Sequence, residues 1–260
     1  MLVPVGEGWP AVEVVRRVGR VEPSPSRLDQ HRASFTFDNG GGLLVEAESR
    51  RATFTTPEPL TDAELVHPYL APVGASFAWW LGREAFHAGA FAVDGRVWAL
   101  VGDKGSGKSS MLAWLAVAGC DIVCDDMLVV DAGMALAGPR CVDLRSFTAE
   151  RLGVGELTIR PPDPRWRLPL GPVPPAQRLA GWVFLEWDDA IRTTPLPGSG
   201  HLPRLAPHRS MLVEPTDPVT LLELSALPAW TLGRPRDWTL MGSVAECLLE
   251  LTGSTDHKAT

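Results

Sequence analysis

The chain has 260 residues, of which 45% are apolar and 21% are charged, a composition that suits one large or two small globular domains. Its formal charge of −7 excludes an overall basic face, so we expect no binding to nucleic acid. No apolar run approaches the roughly 18 residues of a membrane span, so no membrane association is expected either.

The cysteines indicate neither a zinc site nor a disulfide framework. The chain contains no C-x-x-C pair and no histidine cluster that would complete a zinc pattern. Residues 1–4 lack a basic segment followed by an apolar one, which argues against a signal peptide. Because free thiols persist in the cytosol, a cytoplasmic location is expected.

The first part of the chain is predicted to be rich in β-structure. Residues 33–47 contain two alternating or apolar segments around an Asp-Asn-Gly-Gly-Gly turn, which indicates a hairpin. A further strand is predicted at 53–56 and a helix at 69–83. We therefore expect a small β-rich N-terminal region with a helix at residues 1–84.

A different pattern, typical of an α/β domain, begins at residue 85. Two apolar strands, 85–93 and 96–101, are separated by an Asp-Gly turn of the kind found in hairpins. A helix is predicted over 108–118 and a short buried strand over 121–124. These segments predict an α/β fold in which a P-loop core sheet with helices occupies residues 85–260.

The remainder of this second domain shows fewer periodic segments. A buried strand is predicted at 181–186 and a closing helix at 240–252. The segments 153–180 and 193–218 are rich in Pro and Arg, and both are predicted to be long loops that either recognise an acceptor or merely connect elements.

A glycine-rich segment between the second strand and the helix matches the pattern G-x-x-x-x-G-K-[ST]. Such a loop points consecutive backbone N–H groups into one concavity, and the following helix adds its positive dipole end. Lys108 is expected to reach the β- and γ-phosphates of ATP or GTP, and Ser109 to place its hydroxyl on Mg²⁺. The predicted nucleotide-binding residues are Gly102, Asp103, Lys104, Gly105, Ser106, Gly107, Lys108, Ser109 and Ser110.

Two adjacent acids, Asp125 and Asp126, follow the strand after the loop and its helix. If this strand is parallel to the strand before the loop, both carboxylates lie near the phosphates. One is expected to hold Mg²⁺ and the other to accept a proton from an acceptor hydroxyl. Neighbouring residues of a strand point to opposite faces, so the two should have different roles, which the sequence does not assign.

His87 is the third candidate at this place. A two-residue turn pairs Val93 with Arg96, and the same register continued along the hairpin pairs His87 with Gly102. His87 would then lie within reach of the nucleotide or the acceptor. The alternative is a partly buried histidine that bonds only to backbone.

Together these residues resemble the HPr kinase/phosphorylase family over about residues 85–131. The resemblance rests on Phe86-His87-Ala88-Gly89, the glycine-rich segment, and the strand that ends in Asp125-Asp126. Asp143 stands where the family has the Glu of an E-x-R-G signature, which makes it a further candidate metal ligand beside Ser109 and Asp125. Glu186 and Arg209 lie at the places of the family's late Leu-Glu strand and its Pro-Gly-Arg-Asn signature.

The resemblance implies an activity, a cofactor and a class of partner. It implies an ATP-dependent kinase that uses Mg²⁺, with Asp126, Asp125, His87 and Lys108 as catalytic residues. Shorter relatives in biosynthetic clusters modify peptides, so the expected acceptor is the serine hydroxyl of a peptide or small protein, and a homo-oligomer is expected. A small-molecule kinase and a nucleotide-binding regulatory protein without phosphotransfer are the alternatives.

Overall fold

The computed structural model describes residues 9–159, 163–198, 201–210 and 217–253. The chain divides into two compact units, the first ending at Arg83 and the second beginning at Glu84. The boundary predicted from the sequence lies after residue 84. Residues 1–4, where no signal peptide is predicted, lie outside the described part of the chain. Within that part, no helix is both long and apolar enough to cross a membrane.

The N-terminal unit contains a five-stranded sheet with the order β1-β5-β4-β3-β2. Its strands are β1 (Glu13–Val18), β2 (Arg27–Leu28), β3 (Arg32–Thr36), β4 (Gly42–Glu46) and β5 (Arg51–Thr56). β1 is parallel to β5, and the other neighbours are antiparallel. The predicted hairpin is confirmed as β3 and β4, in which Phe35 lies opposite Leu43.

One face of this sheet is covered by helical residues of the same unit. The helical segments are α1 (Asp62–Glu64), a π-helical turn (Leu65–Tyr69) and α2 (Leu70–Trp80). The side chain and amide of Thr61 exchange hydrogen bonds with Glu64 in a capping box, which fixes where the helical segment begins. Val73 and Phe77 of α2 join Phe54 of β5 in one buried apolar cluster.

The second unit contains both strands and helices, with groups of strands between successive helices. Its strands are β6 (Glu84–Phe86), β7 (Ala88–Val93), β8 (Arg96–Val101), β9 (Asp121–Cys124), β10 (Leu128–Asp131), β11 (Met134–Leu136), β12 (Cys141–Leu144), β13 (Glu156–Ile159), β14 (Arg165–Pro169), β15 (Ala176–Trp187), β16 (Arg192–Pro195) and β17 (Ala229–Arg234). Its helices are α3 (Lys108–Val117), α4 (Ser146–Leu152), α5 (His201–Leu205), α6 (Pro218–Ser225) and α7 (Met241–Gly253), with 3₁₀ turns at Ala206–His208 and Trp238–Leu240. The predicted α/β class is confirmed.

The core of this unit is a nine-stranded sheet. Its main path is β6-β10-β11-β15-β8-β7-β9, and β17 adds to β15 and carries β16. Helices α3 and α7 pack on one face, where Met111 and Leu112 of α3 meet Leu248 of α7 and Leu100 of β8. The start of α3 is thereby held at the end of β8.

The first hairpin of the core keeps the predicted register, whose last pair is Ala88 with Val101. The single apolar strand predicted before the turn is wrong, because it is broken at His87. β6 pairs with β10, whereas β7 pairs with β8 and β9. Between them the His87 amide donates to the His208 carbonyl at 2.6 Å, so the predicted pair with Gly102 is not part of the ladder.

The prediction of a long loop at 153–180 is also wrong. β13 and β14 form a small sheet with β12, and β15 begins at Ala176. Arg167 lies opposite Asp143 in this sheet, so a pair of opposite charges fixes the register. Trp166 and Leu168 pack against the core. The Pro-rich composition of this segment favours the prediction of a loop. The alternation Arg-Trp-Arg-Leu in β14 is nevertheless typical of a strand.

The segment 193–218 is likewise not a plain loop. Most of β16, all of α5 and a 3₁₀ turn fall within its described residues. Residues 199–200 and 211–216 of the segment lie outside the described part.

Candidate active site

Four strands of the second unit run in one direction and end at one edge of the sheet, which we call the carboxyl edge. β8 is parallel to β15 and β15 to β17. β9 shares the direction of β8, because β7 lies antiparallel between them. The residues that close or follow these strands are Gly102, Asp125, Trp187 and Arg234. Ligands of open α/β sheets bind beyond such strand ends, so a site is expected here.

The glycine-rich loop (Gly102–Gly107) joins β8 to the start of α3. Gly102 has φ +155°, and a Cβ there would lie 2.8 Å from the Ser106 hydroxyl oxygen. Gly107 has φ +86°, and a Cβ there would lie 2.5 Å from Nη2 of Arg234. Only glycine allows both this backbone and this close approach, so the loop curls tightly at each end.

Lys108 is folded into the curve of the loop. Its buried ammonium donates to the carbonyl of Gly102 at 2.6 Å and, more weakly, to that of Asp103 at 3.4 Å. Burial lowers the pKa of Lys108, and the charges of Asp125, Asp126 and Asp103 oppose that shift. The cation is thus shared between the loop and the two strand-end acids. Three residues at the loop tip are exposed, Asp103, Lys104 and Gly105.

Ser109 and Asp125 form the next contact along the edge. The Ser109 hydroxyl donates to Oδ1 of Asp125 at 3.0 Å. Burial and the neighbouring Asp126 carboxylate raise the pKa of Asp125 to about 7, while the hydrogen bond from Ser109 opposes this. Asp125 therefore exchanges its proton near neutral pH, and a cation bound beside it would favour the ionised form.

This pair has the chemistry of a magnesium site. A serine hydroxyl and a carboxylate are oxygen ligands, and Mg²⁺ is held by one or two such groups together with water and phosphate oxygens. Across the described residues, no group of three or more His, Cys, Asp or Glu side chains is arranged to hold a metal ion. Ser109 and Asp125 thus offer two oxygen ligands to a cation of this kind.

Asp126 faces a different partner. Its Oδ1 lies 3.2 Å from Nδ1 of His87, which is also 3.1 Å from the Asp126 carbonyl oxygen. Asp126 has φ +68°, so the chain turns sharply after β9 and separates the two acids. Both side chains are well exposed, at 43% for His87 and 37% for Asp126. The pair is open to an incoming group and can accept and hold a proton.

Two residues predicted to bind the nucleotide or the metal, Ser110 and Asp143, make other contacts in the structure. The Ser110 hydroxyl lies 2.8 Å from the Thr148 hydroxyl and not in the loop. Asp143 accepts two hydrogen bonds from Arg167, both at 2.9 Å, and its side chain is 6% exposed. Both carboxylate oxygens of Asp143 are therefore engaged, although its charge contributes to raising the pKa of Asp125.

The two later candidates also form ion pairs. Arg209 is buried against Glu84, with Nε donating to Oε2 at 2.8 Å. Glu186, near the end of β15, pairs with Arg204, which also donates to the Thr231 hydroxyl at 2.7 Å. Both contacts hold the segment 201–209 against the sheet.

Comparisons with known proteins add little beyond this geometry. No family model matches the chain, and no curated protein does. Among solved structures, it is similar to one titled "Structure of the Hpr(Ser) kinase/phosphatase from Coxiella burnetii". The two share 12% sequence identity with a TM-score of 0.34, over 65% of this chain and 96% of that one. At that TM-score the function must be argued from the side chains of the site.

Three residues at the carboxyl edge, Arg234, Trp187 and His208, are not among those predicted from the sequence. Arg234 reaches the loop from the end of β17, and its guanidinium lies 4.3 Å from the ring centroid of Trp187. Burial lowers the pKa of His208. The charges of Asp103, Lys108 and His87 are close enough to influence it as well. A signal was present for one of them, since Arg234 follows an apolar strand pattern as Asp125 does.

Proposed function

We propose that this chain is an ATP-dependent kinase that transfers a phosphoryl group to a hydroxyl, the serine of a peptide or small protein. One observation supports this above all others. Five functional side chains come together where parallel strands end: the loop cation Lys108, the Ser109–Asp125 pair, and the Asp126–His87 pair. Phosphoryl transfer needs positioning and charge stabilisation at one place, and this arrangement offers both.

The two aspartates receive different roles in this proposal. Asp125, with the Ser109 hydroxyl, holds Mg²⁺, which when bound neutralises charge on the phosphate oxygens. Asp126 accepts the proton of the acceptor hydroxyl, and His87 orients it. The acceptor oxygen bonds to the γ-phosphorus as the bond from that phosphorus to the β–γ bridging oxygen breaks, and ADP leaves. Lys108 stabilises the charge on the phosphates during transfer.

The exposure of the proposed base supports the choice of a peptide or small protein as acceptor. The Asp126 and His87 side chains are each more than a third exposed, so a chain segment carrying a hydroxyl can approach them without entering a deep pocket. Four thiols without disulfides suit a reducing, cytoplasmic location. A homo-oligomer is part of the same proposal, as the sequence resemblance implies.

The test is phosphate transfer from γ-labelled ATP with Mg²⁺. The acceptors are a library of serine peptides, the same peptides with serine replaced by alanine, and a set of small hydroxyl metabolites. Label on the serine peptides alone supports the proposal. Label on a metabolite alone favours the small-molecule kinase, and nucleotide binding without label on any acceptor favours the regulatory protein.

The base role is tested by Asp126→Asn with a control from β9, the strand that precedes it. Asp126→Asn should lower transfer by about a hundredfold or more, since general-base catalysis contributes roughly 10²–10⁴. Asp121, exposed at the start of β9, is the matched control, and Asp121→Asn should transfer like the wild-type chain. Wild-type turnover in Asp126→Asn would remove Asp126 from the mechanism.

A further inference from the structure

Arg234 is the least exposed charged side chain of the carboxyl edge. It closes β17, and the residue is 3% exposed. Its Nη2 donates to the carbonyl of Ser106 inside the glycine-rich loop. The guanidinium also lies over the ring of Trp187 and would touch any side chain placed at Gly107. The cation is therefore wedged behind the loop where α3 begins.

No acid compensates this charge within the described residues, where no salt bridge includes Arg234. Its Nε is buried and makes no hydrogen bond there. The Ser106 hydroxyl, on the same loop, is a second buried polar atom without a partner. By contrast, three other arginines with largely buried side chains each face a carboxylate: Arg209 that of Glu84, Arg165 that of Asp163 and Arg167 that of Asp143. Arg234 thus leaves an excess of buried positive charge.

The position of the Arg234 charge at the start of α3 makes its burial still less favourable. The start of a helix carries a partial positive charge, so a cation at the start of α3 is disfavoured. Burying an unpaired ion costs several kcal/mol in typical proteins. Burial lowers the pKa of Arg234 to about 10, which leaves it charged at neutral pH. A site with Arg234, Lys108 and a helix start together is suited to a multiply charged anion.

We propose that Arg234 is a positioning residue for the di- or triphosphate group of the bound nucleotide, an inference that rests on the proposed function. By holding the Ser106 carbonyl behind the loop, it keeps the loop's N–H groups turned toward the phosphates. Its charge is compensated when those phosphates bind. Arg234 acts through the loop and does not touch the reacting atoms, because its side chain is enclosed.

The experiment measures Kd by calorimetry for ATP and ADP with Mg²⁺, for tripolyphosphate, and for adenosine. Arg234→Met should weaken binding of the three phosphates by roughly ten- to hundredfold, the range for one hydrogen bond to a charged group. Adenosine should be unaffected. Arg236 is the matched control, since it lies 4.8 Å from the same Trp187 ring but is exposed. Arg236→Met should stay within about twofold of wild type, as exposed charges contribute little.

Stability separates a positioning role from a merely structural one. Without nucleotide, Arg234→Met should unfold at a temperature no lower than wild type, because it removes an uncompensated buried charge. A lower melting temperature with unchanged Kd values would overturn the proposal. If Arg234→Met does not fold, Arg234→Lys decides, since lysine lacks the planar fork. A wild-type Kd for tripolyphosphate in that variant would also overturn it, and a weakened one would support it.

These outcomes can be told apart from those of the kinase test. Binding that depends on Arg234 without transfer to any acceptor would contradict the kinase and leave the Arg234 proposal standing. Normal transfer with an unchanged Kd for ATP in Arg234→Met would contradict only the Arg234 proposal. A wild-type chain that binds none of the phosphates would contradict both.

Discussion

Two walls of the carboxyl edge are assembled in different ways. The first wall, residues 102–126, is one continuous stretch, and its contacts join near neighbours such as Lys108 with Gly102 and Ser109 with Asp125. The second wall comes from residues 186–236, and its contacts reach far along the chain. Arg209 meets a residue 125 positions away, and Arg234 meets one 128 positions away. A short stretch of sequence can therefore bring Lys108, Ser109 and Asp125 together, whereas the residues around them come from distant parts of the chain.

The arginines of the second wall show what the fold adds. Arg209 and Arg234 are both buried, at 9% side-chain exposure and 3% residue exposure respectively. Arg209 is paired with Glu84, so its positive charge is compensated within the protein and stabilises the fold. Arg234 has no carboxylate among the described residues. The same residue type thus supports structure in one place and leaves charge for a ligand in the other.

The largest effect should come from the first wall. Lys108→Ala should lower phosphate transfer on the order of a thousandfold, as loss of a preorganised charge stabiliser does. The measurement is initial rate with labelled ATP. Lys104, exposed at the loop tip, supplies the control, and Lys104→Ala should lose little. Equal loss in the two variants would mean that the loop binds phosphate through diffuse charge and not through one placed lysine.

The second wall should show its largest effect in stability. Glu84→Gln leaves Arg209 buried without its carboxylate, so the free energy of unfolding should fall by about 3–5 kcal/mol. Urea unfolding measures it. Asp163, which pairs with Arg165 at 68% exposure, is the control, and Asp163→Asn should cost less than about 1 kcal/mol. A stable Glu84→Gln that loses activity would instead point to Arg209 as a phosphate-facing residue.

The difference between the walls also explains what the sequence could predict. The loop, Asp125, Asp126 and the hairpin register depend on local spacing, and the α/β class follows from alternating patterns. The contacts of Asp143 with Arg167 and of Arg234 with the loop depend on which strands become neighbours. Neither topology nor register across a small sheet is encoded in a short motif. The break at His87 likewise depends on a distant segment, because the His87 amide donates its hydrogen bond to the His208 carbonyl.

His87 tests whether the two walls act together. Its ring pairs with Asp126 of the first wall, and its amide donates a hydrogen bond to the His208 carbonyl of the second. His87→Gln should lower transfer by about a hundredfold, the lower end of acid–base effects, if its ring orients Asp126. His31, an exposed histidine of the N-terminal unit, is the control, and His31→Gln should transfer normally. A loss confined to KM for the acceptor would assign His87 to acceptor binding.

The smallest effect, at most about tenfold for each pH unit, should be a pH dependence centred on Asp125. Its pKa is raised to about 7, so the folded chain binds more protons at this group than the unfolded chain does. Stability from this group should therefore decrease as pH rises from about 4 to about 7 and then level off. Affinity for ATP with Mg²⁺ should change in the opposite sense, increasing by up to about tenfold per pH unit below 7, because the cation needs the ionised carboxylate.

Asp125→Asn removes this titration and tests both trends at once. The variant should lose the fall in stability between pH 4 and 7, and its weakened ATP affinity should be flat over the same range. Calorimetry in two buffers of different ionisation enthalpy adds a second readout, since binding to the wild-type chain below pH 7 should release a proton and binding to the variant should not. Proton release that persists in Asp125→Asn would assign the titration to a group other than Asp125. The pH dependence of metal binding would then not depend on the charge of Asp125.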